Sequence, residues 1–127
     1  MRYDADTAPD PQAWLELDEQ ERIDQAIAYH RKNRLTMGHS PKLHGTVHTI
    51  VENQVAAGDA TVVPATLARL MREGLDRHDA IHAIGSVLAG ITFDVIAKKA
   101  DAGLDINARY GHELAALTAA SWRARAD

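Results

Sequence analysis

The sequence predicts an all-α protein of about five helices in a small bundle. Apolar residues recur at three- and four-residue spacings along most of the chain, as on the buried stripe of a helix. Prolines and glycines fall where helices would start and stop. No run alternates apolar and polar residues as a half-buried strand does. At 127 residues the chain is read as one domain over residues 10–127, preceded by a flexible polar arm at 1–9. Aromatic residues make up only 5% of the chain, so the core is expected to be mainly aliphatic.

The stretch "DPQAWLELDEQERIDQAIAYHRKNR" reads as the first helix. Asp10 is a suitable N-cap, Pro11 fits the first helical position, and acidic residues fill the early turns. The segment "MGHSPKLHG" is a break, and Ser40-Pro41 restarts a helix expected to run to Ala57 and stop at Gly58. "TVVPATLARLMREG" gives a third, short helix with Pro64 near its start and Gly74 after its end. Asp76 caps a long fourth helix expected to reach about Lys99 and to end around Gly103. Asp105 caps a fifth, with Ile106, Tyr110, Leu114 and Leu117 on one face.

The composition narrows the function classes. A formal charge of −4 gives no electrostatic grip on nucleic acid, which needs clustered Lys and Arg. The absence of cysteine removes disulfides, thiolate ligands and a thiol nucleophile. "MRYDADTAPDP" has no apolar run of the signal-peptide kind, and no stretch of about 18 consecutive apolar residues reads as a membrane span. A cytoplasmic protein with neither nucleic-acid nor membrane partners is the expectation.

Histidine is where the sequence departs from the ordinary. "HGTVHTIVENQ" pairs His44 with His48, and "RHDAIHAIG" repeats the interval with His78 and His82. Side chains four apart share one helix face. On the second helix Leu43, Val47, Ile50 and Val51 define the expected apolar stripe, with His44 and His48 at its margin and Gln54 near its middle. Glu52 is expected to point away from it. On the fourth helix one face carries Ile81, Ile84, Leu88, Ile91 and Val95; a second carries His78, His82, Gly85, Ala89, Phe93 and Ile96. Gly85 and Ala89 are small enough to let another helix approach. The histidine-pair helices are therefore expected to pack against each other and bring four imidazoles together.

Neutral imidazole suits a divalent transition metal such as zinc, iron or nickel, and bundle sites are often built from such pairs on facing helices. His44, His48, His78 and His82 are the expected ligands. His30, on the face of Ile23 and Ile27, is a further candidate, and Glu52, Gln54 and Asp79 are additional or outer-sphere candidates. The competing reading is that the four histidines are core or interface residues satisfied by carbonyls, Gln54 or one another.

The pattern resembles an uncharacterised bacterial family of small helical proteins, a domain of unknown function. Its members show His-x-x-x-His, an aliphatic residue and Gln, then a later His-[Asp/Glu]-Ala-x-His. His44, His48, Val51, Gln54, His78, Asp79, Ala80 and His82 match it, over about residues 40–90. The resemblance implies that the histidine constellation belongs to the family's purpose, and it implies no activity. His48, Glu52, His78 and His82 also look similar to part of a hemerythrin-like di-iron set. The closing histidine-plus-acid of that set is missing, since Leu117 stands five after His112.

The leading expectation is thus a metal-binding helical protein of unknown physiological role, a hydrolase if one coordination position stays open to water. The alternative is a metal-free interaction module, a homodimer joined through the Gly85 and Ala89 face. No nucleophilic triad, phosphate loop or nucleotide fingerprint points to another chemistry, and any small-molecule ligand stays unnamed.

Overall fold

The computed structural model describes residues 2–32, 41–58, 61–97 and 105–126. Among them every regular element is helical: α1 Pro11–Glu16, α2 Glu19–Lys32, α3 Pro41–Ala56, α4 Val63–Arg72, α5 Arg77–Ile96, α6 Ile106–Ala116 and α7 Ala119–Ala126. The all-α expectation holds, with seven helices where about five were expected. The chain forms two compact units, Met1–Pro64 and Ala65–Asp127. The break after His30-Arg31-Lys32 and the approach to Gly103 lie outside the described residues.

Both extra helices arise from capping. The expected first helix breaks at Leu17, which turns to extended backbone (φ −70°, ψ 146°). Asp18 then accepts the Glu21 backbone N–H at 2.8 Å, restarting the chain as α2. Arg22 secures the corner, donating to the carbonyls of Leu15 and Leu17 and to Asn53 Oδ1. At the other end, Thr118 and Ser121 form a reciprocal pair, each side-chain oxygen accepting the other's backbone N–H at 3.0 Å. That pair starts α7 two residues after α6 stops.

In the first unit α3 packs on α1 and α2. Gly45 makes this possible: a Cβ there would come within 2.7 Å of Ile27 Cγ1 on α2 and 3.4 Å of the Ile23 carbonyl. Tyr3, Ala5, Trp14 and Ala26 form a buried cluster, with Leu17, Tyr29 and Ala56 against it. Tyr3 sits 5.3 Å from the Trp14 ring and 5.7 Å from Tyr29. The stretch expected to be a loose arm is thus part of the core. Tyr3 and Ala5 are buried in this cluster, and the Tyr3 backbone N–H donates to Gln25 Oε1 at 2.9 Å.

In the second unit α5 packs on α6. Asp76 caps α5 as expected, accepting the Asp79 backbone N–H at 2.7 Å. Ile81, Ile84 and Ile91 are buried on the expected face, and Leu70 of α4 and Leu114 of α6 are likewise buried. The C-terminal turns differ from expectation: Phe93 is 64% and Ile96 76% exposed, and Val95 and Ile106 are also exposed. Arg109 of α6 donates to Asp94 at 2.6 Å and to Glu113 at 2.9 Å, and these bonds, Asp94 first, raise its pKa. By length and composition α5 is apolar enough to cross a membrane, a property it shares with core helices of water-soluble proteins.

Side chains from α4 hold the α6–α7 corner. Arg69 donates to the carbonyls of Leu114 and Leu117, at 3.0 and 2.8 Å, tying α4 to the end of α6. Glu73 accepts the Ala119 backbone N–H at 2.9 Å. That bond first, and then Arg69, holds its carboxyl below the usual carboxylate range. A carboxyl whose folded pKa is depressed stabilises the fold above its unfolded pKa, and this stability is lost as pH falls through the folded value. Glu73→Gln is therefore expected to be less stable than the wild type near neutral pH, the gap closing in acid. Urea melts at about pH 7 and about pH 3 check this, and a gap of equal size at both would refute it.

Candidate metal centre

The two histidine pairs lie in different units, the first on α3 and the second on α5, and each has its own geometry.

His78 and His82 occupy the first two turns of α5, a helix fixed by its Asp76 cap and by the buried Ala80, Ile81, Ala83 and Ile84. Both rings are half-buried. Their Nε2 atoms are 3.0 Å apart and their ring centroids 4.2 Å. The expected i, i+4 convergence is therefore realised at the ring nitrogens. With metal–nitrogen bonds of about 2.0–2.1 Å, nitrogens 3.0 Å apart subtend roughly 95° at a shared ion. This is the cis edge of an octahedral or tetragonal site; tetrahedral zinc would part the nitrogens by a few tenths of an ångström. In the metal-free chain the same approach is satisfied by one ring donating its Nε2–H to the other. Asp79, between the two, is exposed and sits in the first turn.

The α3 pair is arranged differently. His44 and His48 have ring centroids 6.2 Å apart and an interplanar angle of 32°. That is 2.0 Å farther apart than the 4.2 Å of the α5 pair. These two rings do not form a clamp as they stand. His44 is half-buried, while His48 is 3% exposed. The Nδ1 of His48 lies 2.9 Å from the Tyr3 hydroxyl, which in turn donates a short hydrogen bond to Glu52 Oε2.

Glu52 corrects the wheel reading most sharply. Expected to point away from the apolar face, it is 1% exposed. The side of α3 turned to the core of its unit carries Gly45, His48, Thr49 and Glu52, with Val51 of the expected stripe also fully buried, while Leu43 is 64% exposed. The physical reason is close packing: small residues admit α1 and α2, and the Tyr3 hydroxyl meets both His48 Nδ1 and the Glu52 carboxylate. Val47, Ile50 and Gln54 are half-buried. His30 falls within α2, but its side chain lies outside the described residues.

Tyr3 is the member of this buried polar cluster that sequence reasoning missed. The available signal was an aromatic and an alanine inside an otherwise charged stretch, "RYDADT", which is also what an anchored strap looks like.

No protein-family model, curated protein or solved structure matches this chain. The site is read from its own residues.

Removing the Glu52 carboxylate takes away the short hydrogen bond from the Tyr3 hydroxyl, and losing such a bond inside a core costs about 1–3 kcal/mol. Glu52→Ala is expected to lower stability by about that amount, more than a surface truncation, typically within about 0.5 kcal/mol. Chemical denaturation checks it; a loss inside the surface range would show that the carboxylate does not hold Tyr3.

Proposed function

We propose that this protein binds a divalent transition metal through the clamp formed by His78 and His82. The observation that supports this is the 3.0 Å approach of the two Nε2 atoms on adjacent turns of a capped, half-buried helix. Helix-borne ligands of this kind lose little conformational freedom on binding, because backbone and rotamers are already restrained. Zinc, iron and nickel all accept neutral imidazole. A two-histidine clamp leaves further positions for water or other donors. An ion with one water-bearing position would support metal-assisted hydrolysis.

The direct test is elemental analysis of untagged protein. The expected result is zinc, iron or nickel in stoichiometric amount, lost in His82→Ala. Adding the metal to chelator-treated protein at about 100 times Kd should stabilise it by roughly 2.7 kcal/mol, read as a raised melting temperature. Metal-free protein with a melting temperature indifferent to both chelator and added metal overturns the proposal.

A second reading, a metal-free interaction module, is favoured by the exposed Phe93 and Ile96 at the end of α5. Ala89 lies exposed on the same side, whereas Gly85 is buried. This reading expects a dimer at micromolar concentration that Phe93→Glu converts to monomer. Sedimentation of a wild-type monomer at that concentration rules it out.

A further inference from the structure

The slot that Tyr3 fills has the parts of a recognition site for a phenol. Its walls are the rings of Trp14, Tyr29 and His48, whose centroids lie 5.3, 5.7 and 5.4 Å from that of Tyr3. At its closed end the Tyr3 hydroxyl meets two buried polar groups, His48 Nδ1 at 2.9 Å and the Glu52 carboxylate. Nearer the surface, half-buried Gln25 accepts the Tyr3 backbone N–H through Oε1 at 2.9 Å. Every one of these partners belongs to α1, α2 or α3. The helices build the slot, and a side chain from outside them occupies it.

That occupant is carried on segment 2–9. Asp4, Asp6, Thr7 and Ala8 are exposed, and their turn closes on itself. The Thr7 N–H donates to the Asp4 carbonyl at 3.1 Å, and the Asp6 N–H to Asp4 Oδ1 at 2.9 Å. Two clefts, of about 640 and 310 Å³, run along the segment, and Arg2, Tyr3 and Asp4 line both. The larger also reaches Gln25 and Tyr29, so it opens beside the slot and has the size of a small-molecule site.

We infer that Tyr3 is the resident, displaceable occupant of a binding slot for a small 4-hydroxyphenyl amine. Such a molecule carries a hydroxyl for Glu52 and His48, a ring for the aromatic walls and, two carbons further, an N–H donor for Gln25. Selectivity comes from the hydroxyl, because a site built to hydrogen-bond a ligand's OH strongly rejects the analogue that lacks it. Segment 2–9 then acts as a strap that closes the site when the amine is scarce. A tethered occupant competes at an effective concentration on the order of millimolar, so only an abundant ligand displaces it. The slot lies within the N-terminal unit, and the inference is independent of the metal reading.

Tyramine is the probe, with phenethylamine (no hydroxyl) and 4-methylphenol (no amine) as controls, all on the full chain. Tyr3→Ala empties the slot and keeps the rest of the strap. Tyramine should raise its melting temperature saturably, and more than either control. In the wild type, hydrogen exchange at the Tyr3 amide should accelerate with tyramine and not with phenethylamine, since the strap leaves as the ligand enters. Tyr3→Phe docks without its hydroxyl bonds, so the tyramine concentration that releases it should be roughly 10-fold lower.

A Tyr3→Ala chain that keeps its helical circular dichroism and melts identically with and without tyramine overturns the slot. Equal stabilisation by phenethylamine does the same, because it reduces the slot to an apolar cavity. Should Tyr3→Ala not fold, amide exchange at position 3 decides, and indifference to tyramine in both wild type and Tyr3→Phe overturns the proposal. Tyramine that stabilises Tyr3→Ala but leaves exchange in the other two unchanged overturns the displaceable strap alone.

Discussion

The bond from the Tyr3 hydroxyl to Glu52, extended to His48, is the interaction on which the N-terminal unit depends. A carboxylate and an imidazole buried in an apolar setting each carry a large desolvation cost unless hydrogen-bonded. One phenol oxygen meets both demands, and its ring completes the aromatic cluster with Trp14 and Tyr29. The buried polar groups thereby tie the start of the chain to α3, about fifty residues later. Without that anchor, the face of α3 carrying Gly45, Thr49 and Glu52 would have no reason to be the buried one.

The second unit uses a different device. Its histidines sit at the start of α5, where the Asp76 cap and the buried isoleucine face restrain the backbone. The i, i+4 interval then brings two ring nitrogens to 3.0 Å without help from a distant partner. The C-terminal turns of α5 are held by the Arg109–Asp94 pair, while Phe93 and Ile96 remain exposed. One helix therefore has a preorganised polar end and an apolar end, which is why the metal and interaction readings both fall on it.

The helical class, the caps at Asp10, Asp76 and Asp105, and the stops at Gly58 and Gly74 were legible because capping is local chemistry. The breaks at Leu17 and Leu117 use the same chemistry. Asp18 with Glu21, and Thr118 with Ser121, are visible in the sequence, but each lies inside an apolar period that continues across it. Periodicity concealed the caps. The buried face of α3 was legible at Val51 but misplaced at Leu43 and Glu52 for a related reason: a wheel weights Leu and Val above Gly, Thr and Glu. Close helix packing instead selects small residues, and a buried acid enters once a partner exists.

The sequence by itself determined the all-helical class, most helix limits and the convergence of His78 with His82, since these follow from backbone geometry over four or five residues. Only tertiary structure decided which side of α3 is buried, that Glu52 lies inside and that Tyr3 anchors the first turn of the chain. Those outcomes turn on pairing polar groups far apart in sequence. No local pattern encodes a hydroxyl at position 3 answering a carboxylate at position 52.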